Sequence, residues 1–167
     1  MNSSQRSIKQ MLNQAIGKRC WYVIVGGCTL PQFTLDLGEK IKRLQPIVNS
    51  ALSKAASNFE GEASFFVRSS WRLERGNSVV VTSDDEERAI ITGLNRLVGK
   101  SLEQIKVENL AWDLTLGFSK GWRLRVFADC AMHGYDTLRN WHYKMRGRGI
   151  YAGPGERIKV NHSEGSK

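Results

Sequence analysis

The side chains best suited to catalysis are few and scattered along this chain. The histidines, His133, His142 and His162, are widely spaced, and no H-x-x-x-H pair, Cys/His cluster or D-x-D motif accompanies them. They read as structural or surface histidines, and no metal or other cofactor is expected. No G-x-S-x-G turn presents a nucleophilic serine, and a pairing of Cys130 with His133 or His142 lacks an orienting third residue. Asp84, Asp85, Glu86 and Glu87 run together where a helix opens, so their charge offsets the positive end of its dipole. Asp113 faces Arg123 and Arg125 across a predicted hairpin, which reads as a cross-strand ion pair before an active-site acid. A catalytic centre around Asp113, His133 and His142 therefore ranks behind two binding readings, and the chain reads as a non-enzyme.

Binding chemistry is better represented. Arg68, Arg72, Arg123 and Arg125 alternate with apolar residues in the two strongest hairpins, and share one stripe if those hairpins share a sheet. Arginine beside Phe66 or Phe127 is the usual composition of an interface anchor; a helix covering that face would instead make the phenylalanines core. Near the C-terminus, Lys144, Arg146 and Arg148 interleave with glycine ahead of Tyr151. Cations and an aromatic in that order can follow a phosphate backbone and stack on bases, though a solvated basic turn explains them better. Gly26-Gly27 lacks the flanking residues of a phosphate-binding loop and reads as a turn.

Charge points the same way. The chain of 167 residues has a net charge of +9. Residues 1–58 hold 8 basic and 2 acidic side chains, residues 59–130 hold 10 and 11, and residues 131–167 hold 7 and 3. Basic ends around a near-neutral middle favour an acidic partner: nucleic acid, an acidic protein face or an anionic membrane surface. Three cysteines, Cys20, Cys28 and Cys130, without C-x-x-C spacing argue against a disulfide framework and for a reducing cytoplasm. No apolar run approaches the ~18 residues of a membrane span, and Met1 to Lys18 lacks the apolar stretch of a secretory signal.

The elements that must position these residues are mostly strands. Ile8, Met11, Leu12 and Ile16 fall at helical spacing. Cys20–Val25 and Phe33–Gly38 read as paired strands, and residues 39–58, with Pro46 in the middle, fit either a short helix or a loop. From Glu62 to Leu73 one long alternation places Ala63, Phe65, Val67, Ser69, Trp71 and Leu73 on one face. A turn at Glu74–Asn77 leads to a return strand over Ser78–Thr82. Ser83 and Glu86 form a predicted capping box for a helix over 84–98 with Ile90, Ile91, Leu94, Leu97 and Val98 on its apolar side. Leu102–Val107, then Trp112–Phe118 turning at Ser119–Gly121 into Trp122–Phe127, and finally Leu138–Met145 complete the strands. From Arg146 onward glycine, proline and charge dominate, and the end from Val160 is expected to fray.

The stretches Phe59–Leu73, Trp112–Phe118 with Gly121–Phe127, and Asn140-Trp141 resemble a group of small bacterial β-rich proteins with a GE-aliphatic…W-x-L strand and a DL-x-x-F…G-x-L-x-V hairpin. Some proteins of this look resemble immunity proteins, which bind and silence a toxin. The resemblance covers roughly residues 20–151, transfers no catalytic residue and implies a partner protein. Inhibitors of nucleases are often acidic, whereas this chain is basic, so its partner's face should be acidic.

Together these readings predict one β-rich α+β domain over 1–160, with an N-terminal amphipathic helix at 1–18 and a flexible tail at 161–167. Its antiparallel sheet forms a sandwich or half-barrel with one central helix packed on it. The expected function is cytoplasmic, non-catalytic binding of an acidic protein, a toxin or defence component. The alternative is a nucleic-acid-binding accessory protein using the same Arg stripe and basic ends.

Overall fold

The alternation from Ala63 to Leu73 organises the architecture, but not as one strand. In the computed structural model, which describes residues 3–26, 32–49, 52–108, 112–129, 140–153 and 158–162, this stretch forms two strands. β3 (Phe59–Val67) belongs to one sheet and β4 (Trp71–Arg75) to another. All six residues of the predicted inward face are buried, so period-2 burial survives the passage between sheets. The corner is held by Asn140, whose backbone carbonyl accepts N–H bonds from Arg68 and Ser69 and the Ser69 hydroxyl. Asn140 is itself fixed by bonds to Ala152 and Gly153.

The first sheet runs β1 (Cys20–Val25), β2 (Phe33–Lys42), β3, β9 (Trp141–Met145), β10 (Arg148–Ala152), β11 (Ile158–His162). The second runs β5 (Ser78–Thr82), β4, β8 (Trp122–Val126), β7 (Leu114–Phe118), β6 (Leu102–Val107). Every strand pair is antiparallel. The inward residues of both sheets form one continuous core. Across it Phe33 meets Trp71 edge to face with centroids 5.2 Å apart. The indole N–H of the buried Trp141 donates to the Trp112 carbonyl at 2.7 Å. Along one side the sheets are tied directly, by the Arg19–Ser101 bridge and reciprocal bonds between Leu102 and Gly17 and Lys18. The expected sandwich or half-barrel is thus two sheets joined along one edge.

Among the described residues, three helices complete the α+β fold. α1 (Ser3–Asn13) is shorter than the expected 1–18 and buries Ile8, Met11 and Leu12, while Ile16 lies beyond its end and is exposed. α2 (Lys54–Asn58) supplies the short helix that residues 39–58 allowed. α3 (Glu87–Leu94), followed by a single 3-10 turn, packs Ile90 and Leu94 into the core. The predicted capping box does not form: the helix begins after Glu86, which makes no side-chain cap bond. Asp85 instead accepts from the Thr82 N–H, and Ser83 accepts from the Trp71 N–H. The Ser83 hydroxyl that the box would have used is thus engaged by β4, and Asp85 closes the turn after β5. Against β5, Gly93 leaves no space for a side chain, since a Cβ would lie 2.4 Å from Val81 Cγ1.

Within the described residues, the C-terminal segment holds two strands that the sequence did not announce. Residues after Arg146 form β10 and β11, and Asn161 and His162, assigned to a tail, pair with Gly149 and Arg148. Residues 163–167 lie outside the described residues, as do Cys28, Cys130 and His133. No helix is long and apolar enough to cross a membrane among the described residues.

Candidate binding surfaces

On the outward face of the second sheet, register assembles a cationic cluster. β4 alternates Trp71, Leu73 inward with Arg72, Glu74 outward, and β8 alternates Trp122, Leu124, Val126 inward with Arg123, Arg125 outward. The β7–β8 turn, with Lys120 and Gly121 both at positive φ, fixes their alignment. Arg72 pairs with Arg125 and Glu74 with Arg123. Glu74, 7 % exposed, lies beneath all three arginines. Its carboxylate meets Arg72 Nε at 2.7 Å, Arg123 at 3.3 Å and Arg125 Nε at 3.3 Å. Arg72 also lies over the Phe127 ring, and Arg75 over Trp122. One carboxylate against three guanidiniums leaves a surplus of two positive charges, with the three side chains 38–43 % exposed. The same row continues through Thr115 to Lys106.

Glu74 is the functional residue that sequence reasoning missed. Reading Glu74–Asn77 as a turn removed it from the strand, whereas β4 continues to Arg75 and only Gly76 and Asn77 turn. Period 2 alone places it beside Arg72, so the signal was present. The expected Asp113 pairing is corrected in the same stroke: the carboxylate that meets Arg123 and Arg125 is Glu74. Asp113 accepts the Ala128 N–H at 2.7 Å and holds the end of the hairpin.

Arg68 belongs to the corner, after β3 has ended, and its guanidinium sits over Phe66. It borders the stripe of Arg72, Arg123 and Arg125 rather than continuing it. The remaining expected residues lie on the first sheet. Lys144 pairs with Glu60, which also holds Arg43. Arg146 reaches Glu62 at 2.6 Å, and Lys18 meets the other oxygen of the same carboxylate at 2.6 Å. The Lys18 bond foremost, with Arg146, holds the Glu62 carboxyl below its ordinary range. Gly38, at φ +79, gives this pair room, since a Cβ there would stand 2.8 Å from Glu62 Oε2. Arg146 and Gly147 are the centre of the β9–β10 turn, both at positive φ, with Arg148 exposed just beyond. The basic run is therefore a hairpin turn tied down by ion pairs.

Tyr151 stacks on His142 with centroids 3.9 Å apart, and register sets Phe66 on the other side of His142. His142 is thus part of an aromatic row, with Asp113 on the other sheet. The row lies beside a carboxylate of a different kind. Asp36 on β2 is 1 % exposed, and its Oδ1 accepts from the Ser64 hydroxyl and the Gly61 N–H. Burial pushes its carboxyl above the ordinary range despite those bonds. Cys20, a buried free thiol on β1, is pushed up to about 12 chiefly by burial. Among the described residues no group of three His, Cys, Asp or Glu side chains is placed to hold a metal ion.

The eight expected residues thus divide into three arginines on the second sheet, four residues on the first and Arg68 at the corner between them. No family model, curated protein or solved structure shows significant similarity to the chain.

Proposed function

We propose that this chain is a binding protein that engages an acidic protein face through Arg72, Arg123 and Arg125, in the manner of an immunity-type or defence-associated protein of the cytoplasm. The observation that carries this reading is Glu74 beneath the three arginines. Long cationic side chains ordinarily lose rotamer freedom when they bind, at about 0.5–1.5 kcal/mol each. Here a shared carboxylate already holds them, with the Phe127 ring beneath Arg72, while the surplus charge remains at the surface. Guanidiniums match carboxylates in planar, two-point geometry, and their field raises the rate of encounter with an acidic partner.

Nucleic acid is the second reading, favoured by one separate observation: the row Phe66, His142, Tyr151 on the first sheet, near Arg68 and Lys144. Aromatic rings beside cations suit a single strand.

Photocrosslinking in cells separates the two. A photoreactive residue at Thr115, within the arginine row, should yield a stoichiometric adduct with one acidic protein. That adduct should vanish when Arg123→Glu and Arg125→Glu are introduced. Nucleic-acid adducts from a probe at Tyr151, with none to protein from Thr115, would replace the first reading by the second.

A further inference from the structure

The segment between β2 and β3 carries the most exposed aliphatic side chains among the described residues. Leu44 and Val48 are fully exposed and Ile47 is 38 % exposed, with Ile41 at the end of β2 39 % exposed. From Leu44 to Ser53 the sequence holds no charge, and this stretch is bracketed by Lys40, Lys42 and Arg43 on one side and Lys54 on the other. Arg43 is committed to Glu60 and the Phe59 carbonyl; Lys40, Lys42 and Lys54 are exposed.

The loop is also pinned. Arg43 N–H donates to the Asn58 carbonyl, Ile47 N–H to the Ser57 carbonyl, and the Ser57 hydroxyl to the Ile47 carbonyl. Its backbone partners are therefore partly internal, which lowers the cost of moving it into a medium without water. Val48 and Leu44 project from a braced turn, where collapse onto the core would otherwise hide them.

We infer that this loop docks the protein on an anionic lipid bilayer, with Leu44 and Val48 entering the interfacial layer and Lys40, Lys42 and Lys54 meeting the headgroups. Charge complementarity selects the occupant. Fully exposed aliphatics gain nothing from a phosphate backbone, and two projecting side chains inside a cationic collar offer no flat patch to a protein. A bilayer rewards both at once, because apolar insertion and attraction to acidic lipid add. Trp21, with Lys40 over its ring at 4.9 Å, braces one lysine of the collar. The loop belongs to the first sheet, so docking leaves the arginine cluster on the opposite sheet facing solution.

Sedimentation of the full chain with phosphatidylcholine vesicles, with and without about one third phosphatidylserine, tests this. Wild type should partition to the anionic vesicles and not measurably to the neutral ones. The exposed double substitution Leu44→Asp with Val48→Asp should reduce partitioning at least ~10-fold with an unchanged melting temperature. Lys40→Gln with Lys42→Gln should weaken it by a smaller factor and flatten its salt dependence. Failure to bind anionic vesicles would overturn the inference, as would equal binding by the Asp variant, which would mark simple charge attraction. Light scattering that shows the wild type self-associating, and the Asp variant monomeric, would assign the loop to a second copy and also overturn it.

Discussion

Two nearly buried carboxylates on outward faces, Glu74 on the second sheet and Asp36 on the first, are held by opposite means, while Glu62 on the first sheet is held by cations as Glu74 is. Glu74 on β4 is surrounded by guanidiniums, whereas Asp36 on β2 relies on a serine hydroxyl and a backbone N–H. Cations let a carboxylate stay ionised when water is withdrawn; neutral donors only partly offset that withdrawal. Glu74 thereby becomes a template that orders charge at the surface, and Asp36 becomes a stability cost that grows as it ionises. The same residue class, at the same kind of strand position, orders surface cations on one sheet and costs stability at Asp36 on the other.

Removing the template should have the largest effect. Glu74→Gln leaves three guanidiniums crowded around a neutral amide, at a cost of about 2–3 kcal/mol. A fully buried broken pair would cost ~3–5, but these arginines reach water. Urea denaturation reads the change, and added salt should shrink it by screening the repulsion. A midpoint equal to wild type would show that the arginines order themselves without the carboxylate, and the contrast with Asp36 would lose its basis.

Glu62 comes next and fixes the sign of the pH response. Its carboxyl titrates below the ordinary value because Lys18, then Arg146, favour the charged form. The stabilisation it provides is complete above the unfolded pKa near 4.5 and is lost as pH falls through the depressed folded value. Glu62→Gln should cost about 1–2 kcal/mol at neutral pH, since the Lys18 bond is largely sheltered and the Arg146 bond is open to water. The deficit should close in acid, as measured by denaturation midpoints across pH. A deficit that persists unchanged in acid would mean that the loss is one of packing.

Asp36 must move the other way. Its folded pKa is raised, so the folded state holds the proton more tightly than the unfolded chain. The associated penalty is absent below the unfolded value of 3.8 and grows as pH rises through the raised one. Asp36→Asn should therefore gain stability relative to wild type as pH increases and show none of that gain in strong acid. A constant offset at all pH values would place the effect in the Ser64 and Gly61 hydrogen bonds instead.

What sequence alone revealed follows the same physics. Alternation identified the inward face from Ala63 to Leu73 and both hairpins of the second sheet, because burial on one face leaves a period of 2 whatever sheet the strand joins. It did not reveal the break at Arg68–Ser70, since the corner depends on Asn140, 71 residues from Ser69. It passed over β10 and β11 because Gly149 and the polar residues of β11 dilute the pattern, although pairing with β9 supplies the register. At the site, the arginines were legible by type and spacing, but the carboxylate that orders them was hidden by a turn assigned two residues early. The pairing of Lys144 and Arg146 with Glu60 and Glu62 spans 84 residues in each case, beyond any local signal.

The smallest expected effect discriminates between the sheets as binding surfaces. Glu60 sits between Arg43 and Lys144, with the Lys144 side chain 47 % exposed, so Glu60→Gln should cost less than ~1 kcal/mol. The substitution releases Lys144 and adds one positive charge to the first sheet without touching Arg72, Arg123 or Arg125. If the acidic partner docks on the second sheet, its dissociation rate should stay the same, with at most a modest rise in association rate from the added net charge. If instead the partner covers Lys144, Arg146 and Tyr151, freeing a cation inside the contact should slow dissociation several-fold. Surface-plasmon kinetics on the isolated complex reads both rates, and slower dissociation would transfer the recognition role from the cluster around Glu74 to the hairpin of β9 and β10.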